Sequence, residues 1–322
     1  MGIQIISTGS YMPDLVITNN DLSSIINTSD EWITSRTGIK ERHIAANETT
    51  TDMGIRAAEI ALERSSIPKD DFDLLICATM TPNVSVPMVS SNIMKALKIK
   101  NAIAFDINAA CSSFVYAISV ASSMLESLKY KNAIIVGSDT MSQIVDWQDR
   151  MTCVLFGDGA GAVVLSNTDS NGIISMHLHG VIDEENVLTC NYARNVTPFN
   201  CQEIDKRSKL LMDGQSVMQF AVTAFANTIN TVLLNANKSL EEIKLFIPHQ
   251  SNSRILRLIS KKMDIPEDKL FTNIEKAANT ASASIPIALD DAVSKNLISR
   301  GDLILLAAYG GGLSSGAVLL EW

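Results

Sequence analysis

The sequence predicts a layered α/β fold made of two similar halves. Three observations carry that expectation. Short aliphatic runs alternate with longer amphipathic stretches, the pattern of strands covered on both faces by helices. The same order of features occurs twice along the chain. The chain has 322 residues, 46% of them hydrophobic and only 19% charged, enough apolar material for about two domains of ordinary size.

The buried strands are expected at Leu74–Ala78, Ala133–Gly137, Ala162–Leu165, Leu245–Ile247 and Leu303–Ala307. Helical spacing covers 54–65, 216–237, 252–263 and Ile285–Val293. It also covers 112–128, where Phe114, Ile118, Ala121, Leu125 and Leu128 share a face. Each half then has a strand, a Pro-containing polar loop and a helix: CATMTPNVSVP in the first, FIPHQSNSRI in the second. Each half also ends with a Gly-rich link between two apolar runs, VLFGDGAGAVVL and AAYGGGLSSGAVLL. Self-similarity at this long period points to a duplicated domain rather than a short repeat. The polar, turn-rich SNTDSNG at 166–172 is the natural divide, giving halves 1–170 and 171–322. The stretch from about 181 to 209 has no clear period and is expected to be an irregular loop or cap that shapes a binding site.

Composition removes several function classes. A net charge of −9 and a pI near 5.0 disfavour nucleic acid held by bulk electrostatics, and an acidic partner would need a local basic patch. The cysteines, Cys77, Cys111, Cys153, Cys190 and Cys201, are odd in number and lack CxxC or Cys/His spacing. Neither a disulfide framework nor a zinc site is expected, and the setting is a reducing cytoplasm. The N-terminus lacks a signal-peptide pattern, Ile6 stands where myristoylation wants Ser or Thr, and no run of 18 apolar residues suggests a membrane span.

Cys111 opens the helix at 112–128, among free N–H groups that favour a thiolate, with small Ser112 and Ser113 beside it. A buried structural cysteine is the alternative. His249 lies where an apolar strand breaks into a loop before a helix, a common place for a functional group. His177 and His179 are two apart on a strand and share a face, but no third metal ligand is evident. His43, within KERH, reads as a solvated surface group. Asn279 sits in a crowd of small residues ahead of the helix at 285, as a helix cap or as a close approach to a ligand. Gly157–Gly161 resembles part of a dinucleotide fingerprint but leads into a strand-like run, not a helix, so no dinucleotide site is expected. Gly310–Gly312 likewise joins two strands and could bring N–H groups to an oxyanion.

Together these segments resemble the β-ketoacyl-acyl carrier protein synthase III family of the thiolase-like superfamily. The resemblance runs through Thr28–Ile33 with Arg36–Ile39, Asp106–Ser113, Asp149-Arg150, Phe156–Gly161, Pro248–Gln250, Asn279-Thr280 and Gly310–Gly312. It implies a five-layered αβαβα fold of two duplicated halves, usually a homodimer. It implies an acyltransferase with Cys111, His249 and Asn279 as catalytic residues. The activity implied is decarboxylating condensation of an acyl-CoA primer with malonyl-acyl carrier protein, starting fatty acid synthesis through an acyl-cysteine. A specialised relative that uses a non-acetyl acyl group in secondary metabolism is the alternative.

The resemblance further implies an oxyanion hole from the N–H groups of Cys111 and Gly311. It implies CoA contacts from Trp32, Arg36 and Arg150, with Asn252 at the pantetheine arm. No metal or other cofactor is implied, and acyl-CoA is a substrate. Arg254, Arg257, Lys261 and Lys262, at helical spacing after His249, are the expected carrier-protein docking face. Four positions depart from the family: Ala278 stands for a common Gly, Ser315 for Trp, Met218 for Phe, and Val86 lies near where the family often has a bulky Phe, supplied by the partner subunit, that limits acyl length. A small Val86 suggests room for more than acetyl.

Overall fold

The computed structural model describes residues 2–191 and 209–322. The first half begins with β1 (Gly2–Tyr11), β2 (Val16–Thr18), α1 (Asn19–Ser23), α2 (Asp30–Thr37) and β3 (Glu41–His43). It continues with α3 (Thr50–Ser65), β4 (Leu74–Ala78), α4 (Val89–Leu97), β5 (Ile103–Ile107), α5 (Ser113–Ser127), β6 (Asn132–Thr140) and β7 (Asp158–Thr168). Its main sheet has the order β1-β7-β6-β4-β5. The second half holds β8 (Ile173–Gly180), β9 (Leu188–Thr189), β10 (Leu211–Met212), α6 (Gly214–Ala236), β11 (Leu245–Pro248) and α7 (Ser253–Lys262). After these come α8 (Ile274–Ala277), α9 (Ser284–Ser294), β12 (Leu303–Gly310) and β13 (Ser314–Glu321). Its main sheet runs β11-β12-β13-β8. The chain leaves the first sheet at Thr168 and enters the second at Ile173. Cys201 and most of the 181–209 stretch lie outside the described residues.

Alternation along the strands dictates the layers. Leu74, Ile76 and Ala78 face a central cluster with α5 and α9, while Leu75 and Cys77 face α3 and α4 on the outside. In the second sheet Leu245, Ile247, Ile304 and Leu306 face the same central cluster, and Phe246, Leu305 and Tyr309 face α6 and α7. Strands apolar on both faces demand cover on both faces. The result is five layers: α3 and α4, the first sheet, α5 and α9, the second sheet, then α6 and α7. This is the expected αβαβα arrangement.

Helix α6 is long and apolar; Val217, Ala221, Phe225, Ile229 and Val232 are its buried stripe, packed on the second sheet. The Gly157–Gly161 segment is not a link. Asp158 already begins β7, and a Cβ on Gly161 would stand 2.7 Å from the Ile287 backbone nitrogen. The glycine lets α9 press against the strand. Side chains replace the missing acceptors for the first N–H groups of some helices: Thr49 and Asp52 form a reciprocal cap on α3, and Asp213 caps α6.

Candidate active site

The layers bring the three residues singled out for chemistry to one place. Cys111 sits on the turn between β5 and α5. Ala110 before it takes a left-handed φ of 50°, a conformation that strains any residue but glycine. The turn is tied internally: the Ser112 N–H donates to the Ala109 carbonyl at 3.1 Å, and the Ser113 hydroxyl accepts from the Ala109 N–H at 2.7 Å. From the second half, Gly310 presses on this turn. A Cβ there would lie 2.8 Å from the Cys111 nitrogen and 3.1 Å from that of Ser112. Only glycine permits the approach, and it carries Gly311 to the nucleophile's side.

His249 follows β11, and its N–H donates to the Ala307 carbonyl at 2.8 Å. The side chain is buried, and Nδ1 has no hydrogen-bond partner. What holds the imidazole is packing: the Tyr309 ring meets it edge-on, centroids 5.6 Å apart. Tyr309 is itself anchored by a hydrogen bond between its hydroxyl and that of Ser251.

Asn279 comes from the loop after α8. Its N–H donates to the Leu155 carbonyl at 3.0 Å, its carbonyl accepts from the Gly157 N–H at 3.1 Å, and its Oδ1 accepts from the Ala281 N–H at 2.9 Å. The amide Nδ2 is thereby left as a donor, with no protein acceptor among the described residues.

Ala278, just before it, has φ 57° and ψ −159°, a region almost restricted to glycine and costing about 1–3 kcal/mol for other residues. Ala278→Gly is therefore expected to keep or raise the melting temperature, where a buried Ala→Gly change elsewhere would lower it. A fall of several degrees in a thermal melt would show that the strain is absent.

Cys111, His249, Asn279, Asn252 and Tyr309 line a cavity of about 90 Å³. On its other side Cys111 opens, with Gly311, into a second cavity of about 300 Å³ walled by Met80, Thr81, Met141, Gln143, Ile144 and Cys190. The thiol thus stands between a small, largely apolar chamber that holds His249 and Asn279 and a larger one walled by apolar and polar side chains together. Val86 is outside this wall, 86% exposed. Ser315 is fully buried, its hydroxyl paired with that of Thr228 at 2.9 Å. Met218 packs at the margin of the α6 core while Phe220 reaches the cavity.

Electrostatics differ from the thiolate expected at a helix start. Burial pushes the Cys111 thiol up to about 12, the buried Asp139 charge adds to this, and its own backbone N–H opposes. Burial also pushes His249 down to about 3. At neutral pH the resting site is a neutral thiol beside a neutral imidazole, because desolvation outweighs the helix terminus.

Trp32 is flanked by the Arg36 guanidinium at 4.6 Å and that of Arg150 at 5.0 Å. Gly38 ends α2 with φ 79°, and a Cβ on it would clash with Ser253, so α2 lies tight against α7. Asn252 caps α7, its Oδ1 accepting from the Arg254 N–H at 2.8 Å. Arg254, Arg257, Lys261 and Lys262 are exposed on α7 and make no ion pair among the described residues; Lys262 donates to the Val222 carbonyl. His177 and His179 do share a face of β8, rings nearly parallel with centroids 6.2 Å apart. His43 is half-buried rather than solvated, its Nδ1 2.6 Å from the Pro13 carbonyl.

Sequence reasoning missed Tyr309 and Asp139. Asp139 is fully buried in β6 and accepts from Thr79, Met80, Thr81 and Ser282, tying the wall of the larger cavity to the Asn279 loop. A lone carboxylate at the end of the apolar run Ala133–Gly137 was the available signal, since such groups are buried only when fully hydrogen-bonded.

Comparison with known proteins agrees with this geometry. Patterns described as 3-oxoacyl-[acyl-carrier-protein (ACP)] synthase III and its C-terminal region match residues 105–180 and 233–322. The chain is 42% identical over 320 residues to the β-ketoacyl-[acyl-carrier-protein] synthase III of Clostridium acetobutylicum, covering 99% of this chain and 98% of that one. The crystal structure of 3-oxoacyl-[acyl-carrier-protein] synthase III from Aquifex aeolicus superposes with a TM-score of 0.93 at 44% identity, covering all of both chains. The Pseudomonas aeruginosa enzyme does so at 0.92 and 32%, over 100% of this chain and 98% of that one. A chain that matches at this identity over its whole length, with Cys111, His249 and Asn279 gathered on one cavity, belongs to the 3-oxoacyl-[acyl-carrier-protein] synthase III family.

Proposed function

We propose that Cys111, His249 and Asn279 perform the decarboxylating condensation that initiates fatty acid synthesis, joining an acyl-CoA primer to malonyl-acyl carrier protein. The observation that carries this is their convergence on one small cavity, with a second chamber behind the thiol for the acyl group. In the first half-reaction the Cys111 sulfur attacks the thioester carbonyl, losing its proton. The carbonyl π electrons move to oxygen, which faces the N–H groups of Cys111 and Gly311, and the CoA sulfur departs and is protonated. In the second, the malonyl carboxylate leaves as CO₂, and the electron pair of the broken bond enters the enolate. Neutral His249 and the Asn279 amide donate hydrogen bonds to the enolate oxygen. Its carbon then attacks the acyl-cysteine, and Cys111 sulfur leaves and regains a proton. Neither half needs a metal or redox group.

The faces of Trp32 and Arg150 suit the adenine of CoA, Arg36 its phosphates, and Asn252 the pantetheine arm. A purine between Trp32 and Arg150 would have to part a stack that is closed at 5.0 Å. Arg254, Arg257, Lys261 and Lys262 form the basic face for an acidic carrier protein on a chain of net charge −9. A homodimer is supported by the unpaired edge of β5, where Ile103 is 44% exposed, and by exposed Val86 and Ile182. The free thiols Cys77, Cys111, Cys153 and Cys190 support a cytoplasmic setting.

The test incubates the protein with acetyl-, longer, branched and carboxylated acyl-CoAs, reads the mass added to Cys111, then supplies malonyl-acyl carrier protein. The expected result is an acyl adduct that disappears as CO₂ and β-ketoacyl-carrier protein form. An adduct that transfers its acyl group without release of CO₂ would defeat the condensation and favour a plain acyltransferase.

A further inference from the structure

Arg42, on β3, is the largest fully buried side chain among the described residues, and it lines neither cavity. Its guanidinium makes no salt bridge to any carboxylate among the described residues. Instead Nη1 donates to the Ile17 carbonyl at 3.2 Å, and Nη2 donates to Asn19 Oδ1 at 2.9 Å and the Val154 carbonyl at 3.0 Å. Burial pulls its pKa down to about 10, so it stays charged at neutral pH. Burying an unpaired cation is costly, and an apolar residue would be cheaper for stability alone.

What the fork joins suggests why it is there. Through its amide, Asn19 donates to Asp30 Oδ1 at 2.8 Å and to the Ile39 carbonyl at 2.8 Å. Asp30 is in the first turn of α2, the helix that carries Trp32 and Arg36. Val154 is next to Leu155, whose carbonyl takes the Asn279 N–H, and lies four residues beyond Arg150, which stacks on Trp32. Gly157, bonded to the Asn279 carbonyl, has only 3.2 Å between a built Cβ and the Cβ of Arg42.

We propose that Arg42 is a positioning residue: one guanidinium holds α2, with its coenzyme-gripping side chains, in register with the 150–157 segment that seats Asn279. The inference rests on the function proposed above. A lysine would offer a point charge in place of the fork and could not reach three oxygens in fixed geometry. Asn19 carries only the α2 branch of the network, so the two branches can be separated.

The experiment measures acyl loading and malonyl decarboxylation for the wild type, Arg42→Lys and Asn19→Ala, well below each melting temperature. Asn19→Ala removes the hydrogen bonds that tie α2 to Arg42 and is expected to raise KM for acyl-CoA about 2- to 10-fold, with decarboxylation unchanged. Arg42→Lys is expected to raise that KM and also lower kcat for decarboxylation by about 10- to 100-fold, as a displacement near 1 Å does. Kinetics within twofold of wild type in a folded Arg42→Lys protein, whatever its melting temperature, would overturn the proposal. If that variant does not fold, an unchanged KM in Asn19→Ala overturns it. A wild type that neither loads acyl groups nor decarboxylates malonyl thioesters defeats the functional reading instead, before any variant is compared.

Discussion

Replacing Cys111 with alanine is expected to abolish acyl loading and to reduce condensation by at least about 10⁴-fold, because the proposed reaction runs through the acyl-cysteine at that position. Cys190 also lines the larger cavity and is half-buried, so it is the control: an acyl adduct surviving in Cys111→Ala at Cys190 would move the assignment. The electrostatics add a second signature. The attacking form is the thiolate, and burial holds the thiol at about 12, above its ordinary range. The thiolate fraction therefore rises about tenfold per pH unit through the neutral range. Loading by wild type should climb with pH from 6 to 9 without a plateau. A plateau beginning near pH 7 would mean that the thiol is already ionised, as an imidazolium–thiolate pair would make it. The neutral state of His249, held down at about 3, argues against that pair.

The strands at 74–78, 245–248 and 303–310 were legible because alternation was absent: residues apolar on both faces fit only a sheet covered on both sides. The helices at 54–65, 112–128, 216–237, 252–263 and 285–293 were legible from their period, whereas α4, β1 and β5 were not read from the sequence. Two further features were misread. Gly159 and Gly161 read as a link because glycine ordinarily punctuates strands; here their missing side chains admit α9 to the face of β7, a contact between residues more than a hundred positions apart. The state of Cys111 was also misjudged. A helix start is visible in sequence, but what overrides it is burial, with Gly310 pressed on the turn, and the charge of Asp139, which only the fold brings close. Cys111, His249 and Asn279 were legible one by one, as a helix start, a broken strand and a crowd of small residues. Their convergence depended on the duplication that stacks the two sheets against α5.

Asn279→Ala should lower malonyl decarboxylation by about 10²–10³-fold, the usual cost of one donor to a developing oxyanion, while acyl loading falls less than about tenfold. The asymmetry follows from what the amide has free. Its Oδ1 is committed to the Ala281 N–H, so only Nδ2–H points at chemistry, and negative charge on a thioester oxygen beside it develops in the second half-reaction. His249→Ala should behave alike, and its pH dependence separates the two possible forms of the imidazole. The donor is the neutral ring, protonated only as pH falls through about 3. Decarboxylation should therefore be level from pH 5 to 9, with no step near the ordinary histidine value of about 6.5. A rate that rose on acidification through pH 6.5 would require imidazolium as the donor, and the dry packing of His249 against Tyr309 would then be the wrong account of how the ring is held. Equal loss of loading and decarboxylation in Asn279→Ala would instead point to collapse of the Leu155–Asn279–Gly157 backbone pairing, which the alanine variant should preserve because those bonds belong to the main chain.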